Sequence, residues 1–387
     1  MNATRQGVDN VLGRFETAAE VAARQADWAE AHGRLADETV AALLAAGIAR
    51  LYLPESLGGL EVDPVTCARV TERLALADPS AAWFVMVSNS AKLMAAAWPE
   101  PMVEHLLGDP DAVVAASGNR PYRAVPDGEG FRISGVNSFV SGCHHARWLL
   151  SPARFDESGA DVRTVVLPMS ECEIVDNWQV LGMRGTGSND VKATEVWIPE
   201  IQTLRMPEPG TQQRNRYYQG ALYRCPGRII FATYVPVTLV LAQQALATLD
   251  ALAEGKTPYA EAKKLKHRSI AQIKSGKALA TYRASRGYFF DALADAWARA
   301  QRGLDASAED KADLYLAGTH AVQSSATVVR LVADAAGSSV TYQGSPLERI
   351  LRDMETLRHH GFANESRYGS VSQLRWGAEL DYPLMLR

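Results

Sequence analysis

Two adjacent histidines, His359 and His360, fall in the last turn of RDMETLRHHGF (352–362), which reads as a helix closed by Gly361. Histidine is the side chain best placed to exchange a proton near neutral pH, so the pair is a candidate for acid–base work. The same pair also suits a helix C-terminus, where positive charge compensates the backbone dipole. The loop GMRGTGSNDV (182–191) is a second candidate. Its glycines and small polar side chains leave N–H groups free to approach an anion or a ring edge, unless it is an ordinary β-turn. Cys143-His144-His145 carries metal-binding atoms, but adjacent side chains diverge and no further Cys or His cluster lies nearby, so no metal is expected. The four cysteines (Cys67, Cys143, Cys172, Cys225) form no CxxC pair. That excludes a zinc ribbon or a disulfide framework and points to the cytoplasm. GxGxxG after a strand, the P-loop, HExxH and GxSxG are all missing.

These groups must be held by a chain of changing texture. Residues 8–48 carry apolar residues at helical spacing up to Gly47, and 53–64 (LPESLGGLEVDP) reads as a loop. Helices are expected near 64–77, 79–97 and 101–108, the second starting at Asp78-Pro79. From about 112 to 200, short runs rich in Val, Ile, Phe and Ser alternate with turn signals such as PDGEG (126–130), as in a sandwich or barrel. After a polar connector at 201–219, long periodic segments at 225–254, 259–302, 308–336 and 345–358 suggest an antiparallel helical bundle.

Composition sets the class. The chain has 387 residues, 47% hydrophobic and 22% charged, with a formal net charge of −4. It can bury two or three cores, lies outside the disordered regime, and lacks the basic excess of a nucleic-acid binder. The uncharged stretch Ile229–Leu249 is about as long as a membrane span. Its interspersed Thr, Gln, Tyr and Pro favour a buried bundle helix, so no membrane partner is expected.

In order, LPESLGGLEVDP, DPSAAW, FRISGVNSFVSGCHHARW, GMRGTGSNDVKATEVWIPE and LERILRDMETLRHH resemble the acyl-CoA dehydrogenase fold across nearly the whole chain. The resemblance implies an α+β protein with an N-terminal α-helical domain (1–111), a central β-barrel or sandwich domain (112–215) and a C-terminal four-helix-bundle domain (216–387). It also implies a homotetramer, or a homodimer. Most dehydrogenases of the family place their glutamate base nine residues after the Arg of Arg-Asp, and that position is Gly361 here. In other members it lies on the first bundle helix, yet no acidic residue occurs between Glu208 and Asp250. Where FAD-binding members carry an arginine for the pyrophosphate, EGKTPY (254–259) has Gly255. The sequence is closer to the group D, two-component flavin-dependent monooxygenases. These take reduced flavin from a separate reductase and use O₂ to oxygenate a substrate through a C4a-(hydro)peroxyflavin. Two alternatives stay open: a dehydrogenase-like flavin desaturase and a non-catalytic paralogue acting as a binding subunit.

The resemblance implies roles for particular residues. His360, eight residues after Arg352, would be the acid–base group, oriented by Asp353 and Thr356, unless Asp353 is structural, in an ion pair with an arginine. Ser141 would sit near flavin N5 and Phe139 against the flavin ring. Ser117 and Asn119 would touch its pyrimidine edge, with Ser188 nearby. Gly337, Ser338 and Ser339 would bind the phosphate of a neighbouring subunit's flavin, with Arg268 adding charge; reduced FMN is preferred, FAD being possible. Ser88, Asn89, Tyr223 and Phe231 would line the pocket of an aromatic or polycyclic small molecule. Group D hydroxylases often carry another histidine where Glu355 stands, so the substrate contacts differ here.

Overall fold

Asp63 and Asp78 start two helices in the same way. Asp63 accepts from the backbone N–H groups of Val65 and Thr66 ahead of Pro64, and Asp78 accepts from Ser80 ahead of Pro79. Proline loses nothing at a first helical position, where its missing N–H has no partner within the helix anyway. The computed structural model describes residues 10–205 and 214–386. The middle of the expected connector, 206–213, and both extreme termini lie outside the described residues.

The N-terminal part consists of α1 (Glu16–His32), α2 (Asp37–Ala46), α3 (Pro64–Ala77), α4 (Pro79–Met94) and α5 (Glu100–Leu107). The single helical run expected over 8–48 is broken at Gly33, which adopts a left-handed φ of 66° and caps α1. Helical periodicity continues on both sides of that glycine, which hides the break in the sequence.

A single mixed sheet follows: β1 (Val114–Ala116), β2 (Tyr122–Asp127), β3 (Gly130–Asn137), β4 (Trp148–Arg154), β5 (Val162–Pro168), β6 (Glu173–Val175), β7 (Asp190–Pro199) and β8 (Thr203–Leu204). Its order is β6-β7-β3-β2-β4-β5-β8, with β1 parallel to β4 off that path. β2 and β3 pair from Arg123–Ser134 to Asp127–Gly130, so the PDGEG signal is a hairpin turn. Ile133, Leu149, Val165, Ala193 and Ile198 form the second core, on one face of the sheet.

The bundle comprises α6 (Val235–Gly255), α7 (Ser269–Gln301), α8 (Ala308–Ala336) and α9 (Pro346–Leu357), followed by α10 (Arg367–Trp376), which the sequence reading lacks. Two expected starts move. The helix placed at 225 begins at Val235 after a 3-10 segment, Gly227–Thr233, and the one placed at 259 begins at Ser269. Pro236 sits in the first turn of α6, the one place a helix accepts proline, which fixes the late start, and a 3-10 segment, Leu265–His267, leads into α7. α6 packs on α3, α8 and α9. Gly227–Gly255 is long and apolar enough to cross a membrane, but 89% of its most apolar window is buried inside the protein.

Candidate active site

α4 brings Trp83 to the sheet. Its indole Nε1 donates to Ser141 Oγ at 3.2 Å. Ser141 Oγ and Ser188 Oγ share a hydrogen bond of 2.7 Å, and Ser188 shares one of 2.8 Å with Thr186 Oγ1. Thr186 donates on to Met183 O at 2.7 Å. The hydroxyls form a string whose direction is set from the Thr186 end and supported by Trp83 at the other. Gly142 makes this approach possible: at φ 69°, its absent Cβ would lie 2.9 Å from Val87 and 3.2 Å from Phe84 on α4.

His360 closes the other edge of Trp83. Its ring stands edge-on to Trp83 at 5.3 Å, to Phe362 at 4.9 Å, and tilted against Tyr234 at 5.4 Å. Burial lowers its pKa to about 4, with the positive charge of Arg228 acting in the same direction, so the imidazole is neutral at physiological pH. Nδ1 accepts from the backbone N–H of Phe362 at 3.3 Å. That bond assigns the proton to Nε2, which is then a donor.

Asp353 and Thr356 do not orient this ring. Asp353 is buried, accepts from Met183 N at 2.5 Å and pairs with Arg349 at 3.7 Å, while Thr356 donates to Arg352 O. Burial raises Asp353 to about 7 and Asp78, which Arg349 also faces at 3.5 Å, to about 6. This cluster holds the loop 182–188 on α9. Gly182 is part of the joint, since a Cβ there would lie 2.3 Å from the carbonyl of Arg352. The glycine of the loop motif serves a helix contact at this position.

Phe139 is held at φ 60° and is 61% exposed, its ring edge-on to Trp178 at 5.8 Å. Ser117 Oγ lies 2.7 Å from Ser138 O and 3.1 Å from Asn137 Oδ1, and Asn119 is exposed. Asn89 is buried and spends its amide on Tyr52 N, Ile48 O and Val85 O, which leaves nothing to offer a ligand. Its neighbour Ser88 is buried with Oγ unpartnered. Tyr223 donates to Tyr52 O, and Phe231 packs between Tyr234 and Tyr315.

Gly337, Ser338 and Ser339 follow α8 and form a separate cluster, joined by a residue the sequence reading missed. Lys256 Nζ donates to Ala336 O at 2.7 Å and to Ser339 Oγ at 2.8 Å. Arg268 is exposed and faces Glu261 at 3.6 Å. Trp83, Thr186 and Arg228 were also unassigned. The one sequence signal among them is Arg228, the last charge before the uncharged stretch. His144 is bonded to Asn189 at 3.0 Å, and no group of three or more metal-ligating side chains forms among the described residues.

The residues present fit a flavin. A string of neutral hydroxyls and a neutral imidazole flank the Trp83 indole, the exposed ring of Phe139 stands against Trp178, and a lysine-serine pair stands at a glycine-containing helix end.

Comparison with known proteins accords with this fit. The family description "Acyl-CoA dehydrogenase, N-terminal domain" matches residues 14–98, and "Acyl-CoA dehydrogenase, C-terminal domain" matches 232–365. The chain is 29% identical over 348 residues to indole-3-acetate monooxygenase of Pseudomonas putida, covering 88% of this chain and 87% of that protein. It is 26% identical over 347 residues to the flavin-dependent monooxygenase oxygenase subunit HsaA of Mycobacterium tuberculosis, covering 86% of each. Among solved structures, XiaF from Streptomyces sp., in complex with FADH2 and glycerol, superposes with a TM-score of 0.89 at 22% identity, covering 98% of this chain and 99% of that one.

Proposed function

Because this chain belongs to the acyl-CoA dehydrogenase family, in its two-component flavin-dependent monooxygenase branch, we propose that it is an oxygenase component acting on an aromatic small molecule. The observation that carries this reading is the placement of Ser141 and His360 on two edges of Trp83. Reduced flavin from a separate reductase, when bound, supplies the electrons that activate O₂.

The chain's own residues do the rest. Ser141, Ser188 and Phe139 would hold the ring system. A hydroxyl at the ring edge offers a hydrogen bond without a formal charge. Trp83, Phe231 and Tyr234 exclude water from the reacting region. His360 presents Nε2–H and donates to the oxygen at the reacting centre, holding a proton there; its low basicity does not suit it to abstracting one. Gly361, the usual dehydrogenase base position, is exposed, and no carboxylate pairs with His360 among the described residues, which speaks against the desaturase reading.

Lys256 supports a flavin with one phosphate, since its charge already sits among Gly337–Ser339. A homotetramer in the cytoplasm completes the proposal. Exposed Ile270 and Ile273 on α7, with Tyr259 in the loop between α6 and α7, support association of subunits through the bundle.

The test admits air to the protein with photoreduced FMN and an aromatic substrate, using ¹⁸O₂. Delayed flavin reoxidation and labelled product support the reading. Immediate reoxidation with stoichiometric hydrogen peroxide overturns it, and reduction of oxidised flavin by an acyl-CoA replaces it with the desaturase. Light scattering after gel filtration measures the subunit number.

A further inference from the structure

Beside His360 lies a cation that the described residues leave unneutralised. Arg228, in the 3-10 segment before α6, is 7% exposed. Its one hydrogen bond among the described residues runs from Nη2 to Leu384 O at 2.7 Å, and no carboxylate pairs with it. Nε is buried without a partner. Three rings surround the guanidinium carbon: Phe362 at 5.0 Å, Tyr315 at 5.2 Å and Tyr382 at 5.8 Å. Rings stabilise the face of a guanidinium and leave its N–H edges unsatisfied.

Other unmet groups gather around it. The hydroxyls of Tyr234 and Tyr315 are buried without partners, as is Nε of Arg367, whose guanidinium lies over Tyr382 at 4.1 Å. Buried polar groups are normally bonded, and an uncompensated buried charge is costly. An anion accepting from Arg228 and from the two phenols would satisfy all three at once. The site adjoins the chemistry: Phe362 belongs to the Arg228 cage and stands edge-on to His360, and Phe231 packs against both Tyr315 of the cage and Tyr234, which meets His360 in turn.

We propose that Arg228, with the hydroxyls of Tyr234 and Tyr315, binds a carboxylate carried by the aromatic substrate, so that the substrate class is an aromatic acid whose ring lies toward His360 and Trp83. This rests on the reading of the protein as an oxygenase of aromatic compounds. Arg228 is a specificity-determining residue: it fixes which end of the substrate faces inward and takes no part in oxygen transfer. An uncharged aromatic of the same shape would leave the guanidinium edge and both phenols unpaired, so discrimination comes from the unmet protein groups as much as from the attraction.

The experiment titrates reduced FMN first, anaerobically, by calorimetry. Benzoate, phenylacetate, 3-phenylpropionate and indole-3-acetate, each beside its carboxamide, are then titrated with and without the flavin. At least one acid is expected to bind about tenfold or more tightly than its amide. R228Q should abolish that preference by weakening the acid alone, with R228K retaining part of it and Y315F losing less than R228Q. If R228Q does not fold, the acid–amide ratio of the unaltered protein and of R228K and Y315F decides. Equal affinity of acids and amides, no binding of any acid at millimolar concentration, binding of chloride only, or an acid preference that survives R228Q overturns the proposal. Failure of reduced FMN to bind strikes the oxygenase reading instead, and the acid–amide comparison still stands.

Discussion

His360 and Ser141 never touch, yet one side chain sets the distance between them. Trp83 meets the imidazole edge-on at 5.3 Å and donates its N–H to the serine at 3.2 Å. A displacement of the indole therefore moves both polar groups of the site together. In S141A and W83F, the ratio of product to hydrogen peroxide per reduced flavin is expected to fall about tenfold, the scale of one lost hydrogen bond. Peroxide and product assays on the same reaction check this, and an unchanged ratio removes the serine from the mechanism.

Buried groups of opposite type tilt stability with pH in opposite directions. His360, lowered to about 4 from an unfolded value near 6.5, contributes fully above that value and loses its contribution as pH falls toward 4, because there the unfolded chain binds the extra proton. Asp353 and Asp78, raised to about 7 and about 6, contribute at low pH and lose it as pH rises from about 4 through those values. Relative to the unaltered protein, H360Q should lose stability as pH rises between about 4.5 and 6.5, and D353N should gain it, each by on the order of 1 kcal/mol per pH unit. Urea midpoints across this range measure both tilts; parallel curves would show that neither group titrates on unfolding.

Gly182 tests whether the glycine loop is a binding loop or a joint. G182A forces a methyl group against the backbone of Arg352, which cannot yield, and should destabilise by about 3 kcal/mol. G361A is the control: nothing lies within 4 Å of the Cβ it would add, and its stability should change little. Thermal melts of the two variants decide; equal shifts would deny the joint.

K256M should weaken reduced FMN about tenfold while leaving riboflavin, which lacks the phosphate, nearly unaffected. Equal loss for both ligands would mean that Lys256 only closes the end of α8 through Ala336 O.

Much of the fold was legible because its signals are local. Asp-Pro at 63–64 and 78–79 marked two helix starts, and PDGEG marked the β2–β3 turn. The late start of α6 was not, because residues 227–233 are as apolar as the helix they precede and differ only in winding. α10 was missed because its sequence, RYGSVSQLRW, is largely polar and contains a glycine. Among site residues, His360 and Ser141 were reached through the resemblance to a known family. Arg228 and Lys256 were not, since their meaning lies in partners 156 and 83 positions away. No spacing rule reaches that far. Of the two roles open to Asp353, the structure bears out the ion pair with an arginine, Arg349, and burial turns the carboxylate toward Met183 rather than His360.

The charge-free α6 has a consequence for how the chain is made. Of its covering helices, α3 is encoded before it but α8 and α9 after it, so each nascent chain leaves the ribosome with the faces that meet α8 and α9 uncovered until residues 308–357 follow. During that interval it presents the same hydrophobic profile as a span awaiting insertion. Slowing translation between α6 and α8 should therefore divert chains to chaperones or aggregates.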